Sequence, residues 1–88
     1  MALVKLTSYA RHRVLDGEAV LLNLRDGQYY ALDQVGTRML ALACSLETEQ
    51  DVVWQITEEF EVSDAQCLQD LHGFLEELRS RGLVEATA

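Results

Sequence analysis

Apolar and polar positions change their rhythm once along this chain. Up to about residue 32 the apolar residues alternate or run in short blocks, as strands require. "HRVL" at 12–15 and "EAVLLNLR" at 18–25 are two strand candidates joined by Asp16-Gly17, and "QYYAL" at 28–32 follows Asp26-Gly27. Asp-Gly is a strong turn dipeptide, and the reading places a two-residue type I′ turn at Asp26-Gly27, where both central positions need positive φ. Three strands and two tight turns make an antiparallel meander. Tyr29 and Tyr30 then point to opposite faces, Tyr30 inward with Leu32 and Tyr29 outward with Ala31.

Beyond residue 33 the period becomes helical. Asp33 is the expected N-cap of a helix over "QVGTRMLALAC", in which Gly36 signals close packing or flexibility near the start. A second helix is expected from Thr48 to Phe60, with Val52, Val53, Ile56 and Phe60 on one face. A third is expected over 64–81. Ser63 and Gln66 fit a capping box, and Gly82 is placed to end the helix after Arg79 and Arg81. Its inward stripe reads as Leu68, Leu71, Leu75 and Leu78. Cys67 and Phe74 extend the apolar surface on one flank only, with Asp70 between them. Two readings follow: Phe74 finishes the core against another helix, or Cys67, Leu71 and Phe74 wall an apolar groove with Asp70 at its rim. "GLVE" at 82–85 either adds a short strand or packs Leu83 and Val84 back. Strands followed by helices describe an α+β domain.

Eighty-eight residues make one domain, expected over 1–88 with its core at about 9–85. The expected setting is a cytoplasmic chain, since no apolar run approaches the ~20 residues of a membrane span and no secretory signal opens it. Cys44 and Cys67 read as small reduced hydrophobes. The formal net charge is −8 and unevenly spread: residues 39–78 hold ten acidic side chains and no Lys or Arg. Phosphate binding draws on clustered cations, so nucleic acid is not an expected partner. A DNA-reading winged helix would need cations on its third helix, which has none before Arg79.

Chemistry is equally sparse. A nucleophile needs an adjacent base and the base an orienting partner, and no pattern links His12 or His72 to either cysteine. Metal-ligand spacings and phosphate-cradling glycine loops are missing from the sequence. Neither an enzyme nor a bound cofactor is expected. Interaction remains. A meander ends in free strand edges, which accept an added strand from a peptide or from a second copy of the chain.

Three stretches carry a likeness to a known family: "RDGQYYALD" after a leucine-rich strand, "GTRML" one helical turn later, and "LRSRGLVE" closing the last helix. Together they resemble the PqqD-like family, the peptide-recognition domains of ribosomally made, post-translationally modified peptides. The resemblance implies a winged-helix-like domain with no catalysis of its own. It implies that a precursor's leader peptide adds beside the third strand, at Gln28, Tyr29, Tyr30, Ala31 and Leu32, and lies against the third helix at Cys67, Asp70, Leu71 and Phe74. It is most similar to recognition proteins of lasso-peptide pathways, which bring the precursor to a separate leader peptidase and whose leaders commonly carry a Tyr-x-x-Pro element. The alternative within the family is a pyrroloquinoline quinone chaperone presenting its precursor to a radical SAM enzyme.

Overall fold

A computed structural model describes residues 1–87. Five strands and three helices follow in the order β1 (Val4–Leu6), β2 (Ala10–Leu15), β3 (Glu18–Asn23), β4 (Tyr29–Ala31), α1 (Gln34–Ala43), α2 (Glu49–Glu59), α3 (Asp64–Ser80) and β5 (Val84–Ala86). Strands β2, β3 and β4 form the expected three-stranded antiparallel sheet, with β3 in the middle. With the three helices it makes a winged-helix-like α+β domain. The chain ends add a second sheet that the hydrophobic pattern does not announce: β1 pairs antiparallel with β5, Lys5 opposite Glu85. The expected terminal strand is therefore real, and its partner comes from the other end of the chain.

The type I′ geometry expected at Asp26-Gly27 is found instead at Asp16-Gly17. Asp16 and Gly17 both have positive φ, 53° and 80°, as a two-residue type I′ turn requires. At the second turn only Gly27 does, at 73°. Strand β3 stops at Asn23, and a loop over 24–27 closes through Gly27 N–H to Asn23 C=O (2.8 Å) and Asn23 N–H to Gln28 C=O (2.9 Å). Asn23 is what ends the strand. Its buried side chain accepts from Arg25 N–H (2.8 Å) and donates through Nδ2 to the Arg81 carbonyl (3.0 Å). A short polar side chain that can serve as both donor and acceptor captures the backbone of the loop and of the α3 terminus together.

Each helix begins on a side-chain cap, at Asp33 and Ser63 as expected and at Thr48, where the second helix is expected to start. Asp33 accepts from Gly36 N–H (2.8 Å), Thr48 from Asp51 N–H (3.1 Å) and Ser63 from Gln66 N–H (3.2 Å). The capping box at α3 is only half made, because the Gln66 amide donates to Asp70 (2.8 Å) instead of turning back. Its far end is a Schellman turn: Gly82 N–H reaches Arg79 C=O (3.0 Å) and Leu83 N–H reaches Leu78 C=O (2.9 Å), with Gly82 at φ 75°. A Cβ on Gly82 would lie 3.0 Å from the Tyr9 hydroxyl, so shape and φ both select glycine.

The core has two parts. Met39, Leu42, Val52, Val53, Ile56, Cys67 and Leu71 pack among the helices. Ala10, Leu21, Leu40, Leu78, Leu83 and Val84 pack between sheet and helices. Phe74 touches both. The inward stripe of α3 is thus rotated from the expected leucine row: Cys67 is fully buried, whereas Leu68 is 38% exposed. Cys44, expected inside, is only half-buried, and both thiols are free. Burial pushes both thiols above their ordinary pKa, which keeps them protonated.

Two predictions follow from this packing. Leu71→Ala is expected to lower unfolding free energy by about 2–5 kcal/mol, by lost burial plus a cavity. Leu68→Ala is expected to change it by less than about 1 kcal/mol. Urea denaturation of the two variants checks the phase of α3. The second concerns the bidentate pair joining α1 to α2, Arg38 Nε to Glu59 Oε1 at 2.8 Å and Nη2 to Oε2 at 2.9 Å. Hydrogen bonds from Arg38 and then Gln55 hold the Glu59 carboxyl below its usual range. A depressed carboxylate stabilises the fold above the unfolded pKa, and that contribution is lost as pH falls through the folded value. Melting temperature should therefore fall more steeply below the usual carboxylate range in the parent than in Glu59→Gln, read by thermal scans from neutral to acid pH.

Candidate functional site

Pairing of β4 with β3 leaves one side of β4 bare. The register sets Tyr30 opposite Leu21, with Tyr29 opposite Leu22 and Ala31 opposite Val20. Flanking bonds from Asn23 N–H to Gln28 C=O and from Leu32 N–H to Ala19 C=O (2.8 Å) show which residues face β3. They are Gln28, Tyr30 and Leu32. In an antiparallel pair the hydrogen-bonding direction alternates, so the N–H and C=O of Tyr29 and Ala31 point away from the sheet. Four backbone groups stand in line along this edge.

Helix α3 forms the wall beside it. Asp70, Phe74, Glu77 and Arg81 recur at steps of four, three and four, which places them on one helical face. The Arg81 guanidinium lies 4.4 Å from the centre of the Tyr30 ring and donates through Nη1 to the Tyr30 hydroxyl. It also donates through Nε to Glu77 (3.3 Å). That hydroxyl, more than any other contact, strengthens the hold of Arg81 on its proton. Further along, a Cβ on Gly36 would lie 3.5 Å from Phe74 Cε1 and 3.6 Å from Leu32 Cβ. Glycine here lets α1 sit close under the Phe74 ring, so close packing explains its place in a helix.

The expected site residues fall into three groups. Tyr30, Leu32 and Phe74 are half-buried and line a cleft between β4 and α3. Tyr29 is 69% exposed on the opposite face of the sheet, and Gln28, Ala31 and Asp70 are exposed. Cys67 and Leu71 are fully buried in the helical core, so they back the cleft and offer it no surface. Phe74 completes the core, as the first of the two readings expects, and is half-buried there. Pattern reading missed the place of Arg81 and Glu77 beside Tyr30. The steps of four and three from Asp70 to Arg81 were the available signal, hidden because Arg81 also suits a helix C-terminus.

Nothing in the cleft suggests bond chemistry. Among the described residues, no group of three His, Cys, Asp or Glu side chains is placed to hold a metal ion. His72 pairs with Glu49 across α3 and α2, on the surface. Among the described residues, no helix is long and apolar enough to cross a membrane.

Known proteins share this fold. The chain superposes on TbiB1, solved in complex with the TbiA(β) leader peptide, with a TM-score of 0.83 and 32% identity, covering 96% of this chain and 98% of that one. It also superposes on a lasso peptide synthetase B1 complexed with the leader peptide, with a TM-score of 0.86 and 23% identity over 96% of this chain and 99% of that one, a likeness of fold. No curated protein matches the chain. The family model described as Coenzyme PQQ synthesis protein D matches residues 18–84, the span from the start of β3 into β5, and the chain belongs to the PqqD family.

Proposed function

We propose that this protein is a non-catalytic, cytoplasmic recognition module for the leader peptide of a ribosomally made, modified peptide of the lasso class. The bare β4 edge, set against the Tyr30–Leu32–Phe74 cleft, carries this reading. TbiB1, with which the chain shares 32% identity over nearly its whole length, is a protein solved with a leader peptide bound. The leader adds as a strand along residues 28–32 and lays its side chains against α3, and the module delivers the precursor to a separate leader peptidase.

Magnitudes divide the labour within such a site. Four edge groups at a net ~1 kcal/mol each give about 4 kcal/mol. Ordering a disordered leader costs about 2–5 kcal/mol. Backbone pairing therefore sets direction and register, and side-chain anchors supply affinity. The half-buried Phe74 and Leu32 offer apolar area to an aromatic or proline side chain, as a Tyr-x-x-Pro element would present. Asp70 and the Glu77–Arg81 pair supply polar rims. Presentation of a pyrroloquinoline quinone precursor to a radical SAM enzyme is the second reading, favoured by the description of the matching family model.

Leader affinity, followed by fluorescence anisotropy of a labelled leader peptide, tests the reading. Ala31→Pro removes one outward N–H and leaves the bonds to β3 intact, since proline suits an edge strand. It is expected to weaken leader binding about tenfold, the effect of losing ~1.4 kcal/mol, with little change in melting temperature. Phe74→Ala is expected to weaken it at least as much while costing about 2–3 kcal/mol of stability, less than a fully buried ring. Parent-like affinity in Ala31→Pro would sink strand addition at β4, and parent-like affinity in a folded Phe74→Ala would sink the cleft.

A further inference from the structure

Where β4 begins and α3 stops, two cations gather at one end of the cleft, each laid on a tyrosine ring. Arg81 covers Tyr30 at 4.4 Å, and Arg25 covers Tyr9 at 4.8 Å. Asn23 ties them together, accepting from Arg25 N–H and donating to the Arg81 carbonyl. Tyr9 meets the same corner, since a Cβ on Gly82 would lie 3.0 Å from its hydroxyl. Stacking on a ring fixes the plane of a guanidinium and leaves its N–H edge free to meet an anion.

A helix end does not require this arrangement, because a cation complements the last carbonyls from many exposed rotamers. Arg81 instead crosses to the sheet, and its donors are not used up there. Nε donates to Glu77 at 3.3 Å and Nη1 to the Tyr30 hydroxyl, while Nη2 has no acceptor among the described residues. Arg38 is the contrast, with Nε and Nη2 both held by Glu59. The Glu77 contact is long and lies between exposed side chains, so it holds the guanidinium loosely. Arg25 is in no ion pair among the described residues.

The rest of the cleft wall has the opposite sign. Before Arg79, the charged residues of α3 are Asp64, Asp70, Glu76 and Glu77. Asp70 lies one turn before Phe74 on the same face and accepts from a neutral amide, that of Gln66. Asp33 follows Leu32, its carboxyl capping α1. On a body of net charge −8, an acidic side chain of a ligand gains only in direct contact with a cation, since salt screens anything farther. It is repelled along the wall and finds that contact at the Arg25–Arg81 corner.

We propose that Arg81, with Arg25 beside it, reads an acidic side chain of the leader and so fixes the leader's register. This inference rests on the leader-recognition reading. A strand that continues the antiparallel sheet runs from the Leu32 end of β4 to the Gln28 end, and passes Phe74 before Arg81. Phe74 and Arg81 are about 10 Å apart along the axis of α3. An extended strand covers that distance in about three residues. Side chains on one face alternate, which puts the acidic residue about two or four positions after the side chain that packs on Phe74. Its carboxylate accepts from Nη2 while the Tyr30 ring holds the guanidinium in place. A leader laid in the reverse direction would bring the same carboxylate toward Asp70.

The test follows the labelled leader peptide of the same pathway by fluorescence anisotropy, with each Asp and Glu of the leader replaced by Lys in turn. One replacement is expected to weaken binding to the parent protein about tenfold, and Arg81→Glu is expected to weaken the unaltered leader as much. Combining that peptide with Arg81→Glu is expected to recover about fivefold of the loss. Arg81→Met keeps an apolar stem on the Tyr30 ring. It is expected to weaken the unaltered leader about fivefold and to bind both peptides alike. Raising salt to about 0.5 M should narrow the gap between parent and Arg81→Glu. Affinity within twofold of the parent in Arg81→Glu and Arg81→Met, with Ala31→Pro still weakening the leader, overturns this inference and leaves leader recognition standing. A loss in Arg81→Glu that no Lys-bearing peptide recovers also overturns it, because a purely structural role for Arg81 predicts that result. A parent protein that does not bind the leader refutes both readings.

Discussion

Strand β3 can be paired in one register only, and the geometry of the domain depends on that restriction. Its alternate residues Ala19, Leu21 and Asn23 are buried and Glu18 and Val20 are exposed. A slip of one residue would put Val20 and Leu22 inside and carry Leu21 and the Asn23 amide into solvent. Leu21 lies at the centre of the sheet–helix core, and Asn23 holds the loop to the end of α3, so the slip loses burial and strands polar groups together. Because β3 is the shared partner of β2 and β4, its register also decides which backbone groups those strands turn outward. The two open edges are thus consequences of how a buried strand alternates.

Much of this was legible in the amino-acid pattern because it is local. Caps need only a short polar side chain three residues before a free amide, and those at Asp33 and Ser63 appear where expected. What escaped is non-local. Val4–Leu6 is too short to show a period and becomes a strand only through a partner at the other end of the chain. The two Asp-Gly turns look alike in sequence. Asn23 separates them, by diverting the β3 terminus into side-chain bonds before Asp26 is reached. On α3, four leucines outvoted a cysteine, yet the crossing with α1 and α2 buries Cys67 and leaves Leu68 at the margin. Arg81 was legible as a residue that complements a helix end. That its guanidinium lies over Tyr30 required knowing that the end of α3 meets β4.

Charge is sorted by layer. The helical surface is acidic, and most of its ion pairs are exposed contacts within or between neighbouring helices, which contribute little to stability. The sheet carries the basic residues that remain. On so small a body this gives two kinds of surface, one that repels acidic molecules and one that admits them.

The pairing of β1 with β5 carries an entropic cost. It joins the two ends of the chain through three residue pairs, so its loop-closure entropy is the largest in the fold. Burial offsets that cost, since Val84 is a core residue and Val4 and Leu6 pack against the same cluster. Leu6 rides on this ribbon and walls an apolar hollow of about 320 Å³ between β2 and α1. The width of that hollow therefore depends on a pairing between the two ends of the chain, while the strand edges depend on β3.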